Sequence, residues 1–384
     1  MKFLLIYVPN LRFREFSLPW HQIPIKDLLS FQNGINGVPE QYGKGIKYIS
    51  VGDILNNDYI TYDKIVGSID ISQETLKNYS VTYGDILFQR SSEIKDDIGR
   101  TNVYLDKDNT ATFGGFVIRG KKIGDYNPSF FSFLLKSPSS RKSIVRLGAG
   151  AQHYNIGQEN IKTLSFYFPN EIEQVKIANL LSKIDERIQT QIKIIDDYNS
   201  LKMGIYNCMF KENYADYKLK QLAYIVKGDQ INNDQLLSNG SYYMMNGGAS
   251  PSGYLDSYNV SENTISISEG GNSCGYVQFN SSPFWSGGHC YTIQNVNSAL
   301  IENKYLYHYL KYKEKEIMNL RIGTGLPNIQ KKDLENFTIL VPSLLIQRKN
   351  LALFEMLDEK ISILNEELAN LQKQKKYLLC NMFI

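Results

Sequence analysis

Two stretches of this chain keep one stripe of residues at alternating spacings of four and three. The first runs Ile177, Leu181, Ile184, Ile188, Gln191, Ile195, Tyr198, Lys202, Ile205, Met209; the second runs Asn350, Phe354, Leu357, Ile361, Leu364, Leu368, Leu371, Lys375, Leu378, Met382. A mostly apolar heptad stripe kept for more than five turns predicts helices that pack side by side as a coiled coil. At 1.5 Å per residue, about 40 residues make a rod of roughly 60 Å, longer than a domain of about 150 residues is wide. The short chain between the copies favours an antiparallel pair. Gln191, Asn350 and the matched Lys202 and Lys375 interrupt the seam, and polar interruptions of this kind fix register.

The two stretches belong to a duplication. At a constant offset of 173 residues, Leu147, Gly150, Asn155, Ile156 and Pro169 recur as Leu320, Gly323, Asn328, Ile329 and Pro342. The register continues into the helices, where Gln174, Leu180, Asp185, Glu186, Ile188, Met209 and Phe210 recur as Gln347, Leu353, Asp358, Glu359, Ile361, Met382 and Phe383. A repeat this long means two tandem modules rather than a solenoid of short units.

Upstream of each helix the pattern is mostly β. Lys47–Val51, Asp85–Phe88 and Phe116–Ile118 read as short strands in the first module. Ser241–Met245, Thr264–Ile267 and Cys290–Ile293 read the same way in the second, all set among Gly, Asn and Asp turns. Gly114-Gly115 and Gly287-Gly288 again differ by 173, and Ile25-Lys26-x-Leu28 with Gly34 matches Leu219-Lys220-x-Leu222 with Gly228. Segments 129–147 and 303–321 read as helical. The fold class is therefore α+β: two β-rich modules separated by two long antiparallel coiled-coil helices, with a pseudo-twofold repeat. The boundaries are 1–168, 169–211 for the central helix, 212–342, and 343–384 for the distal helix. Between the shared anchors the sequences barely match, as expected of two binding modules with different targets.

A net charge of +3 over 384 residues advertises no polyanion partner. The charge is uneven, however: residues 90–146 hold 11 Lys/Arg against 6 Asp/Glu, and residues 302–332 hold 7 against 3. A basic surface in each module would suit nucleic acid, although such local excess is more often a solvated face. Cys208, Cys274, Cys290 and Cys380 show no metal-binding spacing, and Cys208 and Cys380 are expected in the core at the helix ends. Free thiols and no secretion signal point to the cytoplasm. The apolar opening Phe3–Val8 is stopped by Pro9, too short for a signal core or a membrane span.

Catalytic patterns fail one by one. Asn127-Pro128-Ser129-Phe130 approaches the Asn-Pro-Pro-Phe of amino-methyltransferases but lacks the second proline, and a proline turn opening a helix explains it better. Asp85 with Glu93-Ile94-Lys95 only caricatures a Mg²⁺-binding nuclease triad. No G-x-x-x-x-G-K-[ST] phosphate loop exists, which excludes ATP-driven translocation by this chain. The four histidines are scattered: His153 and His289 fall in candidate recognition loops, and His21 and His308 lack acidic or Cys partners, so no nucleophile–base grouping emerges. These absences describe a recognition protein.

Two β-rich modules, each ending in G-x-x-x-x-N-I, a proline and a long helix, make the chain resemble the specificity (S) subunits of type I restriction–modification enzymes. Pro9-x-Leu11-Arg12-Phe13-x-Glu15-Phe16, Gly84-Asp85-Ile86-Leu87-Phe88 and Gln174-x-x-Ile177-Ala178-x-x-Leu181-x-x-Ile184-Asp185-Glu186 add to the likeness. One departure is Asn350-Leu351 where the first helix has Ile177-Ala178. The resemblance implies that each module reads one half of a split site in double-stranded DNA. It also implies that the helices space the half-sites and dock two modification (methyltransferase) subunits, joined by restriction subunits. S-adenosylmethionine, ATP and Mg²⁺ would then belong to those partners, with no cofactor, catalytic residue or metal here and no membrane.

On residue chemistry, Gln89, Arg90, Ser91, Ser92 and Arg100 in the first module, and Asn246, Asn272, Ser273 and His289 in the second, are the expected DNA contacts. They follow strands and offer groups that pair with base edges. Ile177, Leu181, Ile184, Ile188, Phe354, Leu357, Ile361 and Leu364 are the expected seam or subunit-docking residues. A reading from another class is a non-enzymatic scaffold that binds carbohydrate or protein through Tyr-rich loops on a coiled-coil stalk.

Overall fold

The structure, a computed structural model, describes residues 8–210, 214–323, 325 and 327–384. Of the expected apolar opening Phe3–Val8, all but Val8 lies outside them. The chain forms two compact units: unit 1 is residues 1–192 with 366–384, and unit 2 is residues 193–365. Each unit therefore holds one β-rich module together with a part of both long helices, Glu171–Met209 and Leu344–Asn381.

In unit 1 a four-stranded antiparallel sheet has the order Leu29–Asn33, Val117–Lys122, Ile86–Gln89, Thr101–Val103. Unit 2 repeats it as Tyr224–Lys227, Cys290–Gln294, Thr264–Ser268, Val277–Asn280. Each unit adds a three-stranded sheet containing one parallel pair: Tyr48 opposite Thr112 in unit 1, and Met244 opposite Trp285 in unit 2. Each also has a two-stranded ribbon, His21–Pro24 with Ser165–Phe168 and Ala215–Lys218 with Thr338–Val341. The expected strands are all present. Val51, however, opens the helix Val51–Asn56, because Ser50 caps it by accepting from the Asp53 N–H while Asp53 accepts from the Ser50 N–H, a reciprocal capping box.

Why Ile86–Phe88, in the strand Ile86–Gln89, is an unbroken apolar run follows from where its faces go. Ile86 and Phe88 enter one core with Ile118, Phe130 and Phe131, while Leu87 enters another with Ile49, Tyr104 and Phe113. Side chains alternate across a sheet, so a strand buried on both faces has no position left for water. In unit 2 the same alternation puts Ile265 and Ile267 into the core and Ser266 and Ser268 on the opposite face. That polar face is satisfied internally: Ser266 Oγ accepts from Asn280 Nδ2 and Ser268 Oγ donates to the Gly247 carbonyl.

The repeated glycines mark a chain crossing. A Cβ on Gly34 would lie 2.1 Å from the Gly114 carbonyl oxygen, and one on Gly228 would lie 2.3 Å from that of Gly287. Both contacts are far inside van der Waals distance, so only glycine fits.

Within unit 1 the helices run antiparallel: Asp185 faces Lys375, and Gln191 Nε2 donates to Glu367 Oε2 at 3.0 Å. Within unit 2 Lys202 bonds Asp358, and Tyr206 packs edge-on against Phe354. Both seam lysines are therefore ion-paired. Ile177 and Leu181 are fully enclosed in the unit 1 core, and Phe354 in that of unit 2. Ile188, Leu357 and Leu364 are buried, while Ile184 and Ile361 are half-buried. Ile177, Leu181 and Phe354 are thus core positions rather than open docking surface.

Three sequence expectations need correction. Segment 129–147 is two helices, Pro128–Lys136 and Pro138–Val145, because Pro138 excludes helical backbone at the residue before it. Segment 303–321 likewise divides into Asn303–Tyr312 and Glu314–Met318. Cys208 and Cys380 are exposed, since the inward positions at the helix ends are taken by Tyr206 and Phe210 in unit 2 and by Met382 and Phe383 in unit 1.

Candidate nucleic-acid interface

The recurring G-x-x-x-x-N-I stretch is what shapes the candidate site. In unit 1 Ala149 and Asn155 exchange backbone hydrogen bonds of 3.0 and 2.9 Å, closing a loop around Gly150. The next N–H, of Ile156, donates to the Arg90 carbonyl at 3.0 Å. In unit 2 Ile322 and Asn328 close the same loop, and the Ile329 N–H donates to the Glu269 carbonyl at 2.9 Å. The repeat thus pins the first residue after the strands Ile86–Gln89 and Thr264–Ser268, where the segments of unrelated sequence begin.

The unit 1 candidates gather there but differ in availability. Gln89 is the buried last residue of its strand, and its Nε2 donates to the Ser91 carbonyl at 2.9 Å. It is not a loop residue. Ser91 and Ser92 form a two-residue strand against Tyr154 and Asn155, with Ser91 Oγ bonded to Asn155 Oδ1. Ser92 Oγ accepts from the Ile94 N–H. Arg100 is engaged with Asp97 at 2.6–2.7 Å. Arg90 gives one bond of 3.3 Å to the Gly115 carbonyl, which leaves most of its five guanidinium donors for another partner. Phe116 beside it is 67% exposed.

In unit 2 a cleft of about 380 Å³ is lined by Lys227, Asn246, Glu269, His289 and Asn328, with Gly247, Gly270 and Gly271 at its edge. Asn246 Oδ1 accepts from the His289 N–H at 2.9 Å, which brings those two candidates together. Asn272 and Ser273 belong to the adjoining turn, where the Cys274 N–H donates to the Gly271 carbonyl. The residues that sequence reasoning missed are Glu269, Lys227 and Asn328. Glu269 Oε1 accepts from Lys227 Nζ at 2.6 Å and from the Tyr291 hydroxyl at 3.1 Å. Its Oε2 is buried without a hydrogen bond, and His289 Nδ1 lies 3.6 Å away.

The catalytic look-alikes resolve into structural roles. Asn127 caps the helix Pro128–Lys136, accepting from the Phe130 N–H at 2.9 Å. Asp85 is buried and accepts from the Thr82 and Lys122 N–H groups, and burial raises its pKa. His308 is buried with its Nδ1 2.8 Å from the Tyr206 hydroxyl. Much of the basic excess also points inward. Arg119 is bound to Gln32 and the Ser80 carbonyl, and Arg141 donates to the Asp96, Ile98 and Gly99 carbonyls. Lys311 and Lys313 are paired with Glu314 and Glu316. Among the described residues no group of three or more His, Cys, Asp or Glu could hold a metal ion, and no helix is long and apolar enough to cross a membrane.

Comparison with known proteins points to one family. The model of a type I restriction modification DNA specificity domain matches residues 19–196 and again 211–373. A putative type I restriction enzyme specificity subunit of Methanocaldococcus jannaschii is 24% identical over 400 aligned positions, covering 95% of this chain and 93% of that protein. A putative type I specificity subunit of Mycoplasma pneumoniae is 34% identical over 155 residues, which is 40% of this chain and 41% of that one. Among solved structures, the S subunit of a type I restriction–modification system from M. genitalium has a TM-score of 0.65 at 21% identity, covering 98% of this chain and 99% of that chain. At that identity the likeness is one of fold.

Proposed function

Since the chain belongs to the specificity subunits of type I restriction–modification systems, the non-catalytic DNA-recognition components, we propose that it reads a DNA site in two parts, one with each unit. In this reading it positions two adenine-N6 methyltransferase subunits and a restriction subunit on that site. The helices serve as the spacer between half-sites. S-adenosylmethionine, ATP and Mg²⁺ act on those partners, and the complex works in the cytoplasm. The observation that carries the reading is the duplicated frame. The same strand end and the same Asn-Ile turn hold, in each unit, a different polar set: Arg90, Ser91 and Ser92 in one, Asn246, Glu269 and His289 in the other. A common scaffold with unlike loops supports one purpose and two targets.

Methylome sequencing of a host expressing this chain with its cognate methyltransferase tests it. The wild type should methylate a two-part motif. Arg90→Ala should relax one half-site and His289→Ala the other. A continuous motif, or both variants altering the same half, would count against the assignment.

A further inference from the structure

We infer that Glu269 reads a base in the half-site of unit 2 by accepting a hydrogen bond from an exocyclic amino group, cytosine N4 or adenine N6. The inference rests on the two-part reading above and deepens it. Arg90 and Glu269 occupy one backbone position. Their N–H groups donate to the Phe116 and His289 carbonyls, each at 2.9 Å, and residues 116 and 289 are repeat equivalents. Their carbonyls accept from Ile156 and Ile329, also equivalents. At that one position unit 1 carries a side chain with donors only, and unit 2 carries one with acceptors only. Arginine suits guanine O6 and N7, whereas a carboxylate suits the amino group of a base. At this position the two units therefore offer opposite hydrogen-bonding character, donors in one and acceptors in the other.

The state of the carboxylate supports a ligand. Glu269 lines the cleft but is only 7% exposed, and its buried Oε2 has no hydrogen bond among the described residues, with His289 Nδ1 3.6 Å away. A buried carboxylate oxygen without a donor is costly, and an entering amino group relieves that cost. Lys227, which lines the same cleft, and the Tyr291 hydroxyl hold Oε1 and fix the carboxylate's orientation. Gly247, Gly270 and Gly271 leave the cleft edge free of side chains. A phosphate is an unsuitable occupant, because it carries the same charge and no donor.

The test compares methylomes of the wild type, Glu269→Gln and Glu269→Ala, each co-expressed with the cognate methyltransferase. Glu269→Ala should reduce discrimination at one position of one half-site by roughly tenfold to a hundredfold, with the other half-site unchanged. If that position is C·G, Glu269→Gln should move its preference toward A·T, since an amide pairs with adenine. If it is A·T, Glu269→Gln should keep it. The preserved half-site in the same data shows that the variant is folded and assembled. An unchanged motif in both variants overturns the inference while leaving the two-part reading intact. So does an even loss of methylation with every position retained, which is what a structural anchor for Lys227 and Tyr291 would give. A wild-type methylome without a two-part motif overturns both.

Discussion

Lys375 and Asp185 meet across the helix pair of unit 1, with Nζ 2.5 Å from Oδ1. Their repeat equivalents, Lys202 and Asp358, make the same bond in unit 2. Each lysine of one helix thus pairs with the repeated Asp-Glu aspartate of the other, and two seam interruptions become two registry pins. Asp185 is largely enclosed, and burial raises its pKa despite the lysine. Removing Lys375 should therefore cost more than breaking a surface pair. Lys375→Ala is expected to destabilise unit 1 by roughly 1–3 kcal/mol, and adding Asp185→Asn should recover part of this by removing the orphaned charge. Urea unfolding of the two variants checks it. Strictly additive losses would mean that the pair is not coupled.

Unit 2 should weaken in acid through His308. Burial, then Lys202, lowers its pKa from 6.5 to about 3. Glu355 opposes the shift and Lys304 adds to it, with Asp358 3.9 Å away. The folded state then binds fewer protons than the unfolded chain between pH 6.5 and 3. Stability is full above about 6.5 and is lost as pH falls toward 3. The loss between pH 7 and 5 should be about 2 kcal/mol. His308→Gln should flatten that part of the pH–stability curve, as followed by denaturant unfolding. An equally steep curve in the variant would place the acid sensitivity elsewhere.

Gln174 and Gln347 are buried and tie each long helix to its module. Gln174 accepts from the Asn127 N–H at 2.9 Å and donates to the Pro169 carbonyl at 3.0 Å. Gln347 accepts from the Glu302 N–H at 2.8 Å and donates to the Leu300 and Pro342 carbonyls at 2.9 and 2.8 Å. Replacing either with Leu strands several buried backbone groups, so a loss of about 2–3 kcal/mol is expected in the unit concerned. Calorimetry of both variants measures it. A change below about 0.5 kcal/mol would mean that water replaces the amide.

What the sequence made legible was whatever carries a period. The 4,3 stripes located both helices, and compact apolar runs located six strands, because burial imposes those spacings directly. The paired glycines and the Asn-Ile turn were legible as a repeat, although their roles in a chain crossing and a loop closure depend on contacts distant in sequence. Glu269 was not legible, for a specific reason. Ile86 lies opposite Gly120 and Ile265 opposite Ile293, so these strands correspond at an offset of 179, not 173. Loops of unequal length between them hide the equivalence of Arg90 and Glu269. Charge counts misled in the same way, since counting could not tell the inward Arg119 and Arg141 from a basic surface.

Arg90 separates two kinds of DNA contact. If it reads a base edge, Arg90→Ala should cost roughly 1–3 kcal/mol and relax one position of one half-site. If it holds a phosphate, binding should weaken about equally on all sequences, and the salt dependence should become shallower by about one unit of slope. We expect the first outcome, because Arg90 is anchored by the same backbone bonds as Glu269 and only its side chain differs. Fluorescence titration of the assembled complex on matched and singly mismatched duplexes, at several salt concentrations, decides between them. Arg100→Ala should have a smaller effect, since Asp97 already occupies that guanidinium.

Assembly should follow the repeat. A body built from two related units offers two similar surfaces, so it should bind two copies of one partner. The enclosed Ile177 and Leu181 cannot serve as that surface, but the first turns of the helices can. Ile172 and Leu345, which are 173 apart, are 74% and 81% exposed, unusual for large apolar side chains at matching positions. Two methyltransferase subunits per chain are therefore expected by native mass spectrometry of the co-expressed proteins. Ile172→Asp should weaken one copy and Leu345→Asp the other, each by roughly tenfold in Kd, and the double variant should weaken both. Because neither side chain belongs to a core, the variants should keep the stability of the wild type. A one-to-one complex at saturating partner would refute the two-copy arrangement. Unaltered affinities in both variants would keep it and move the docking surface away from the helix starts.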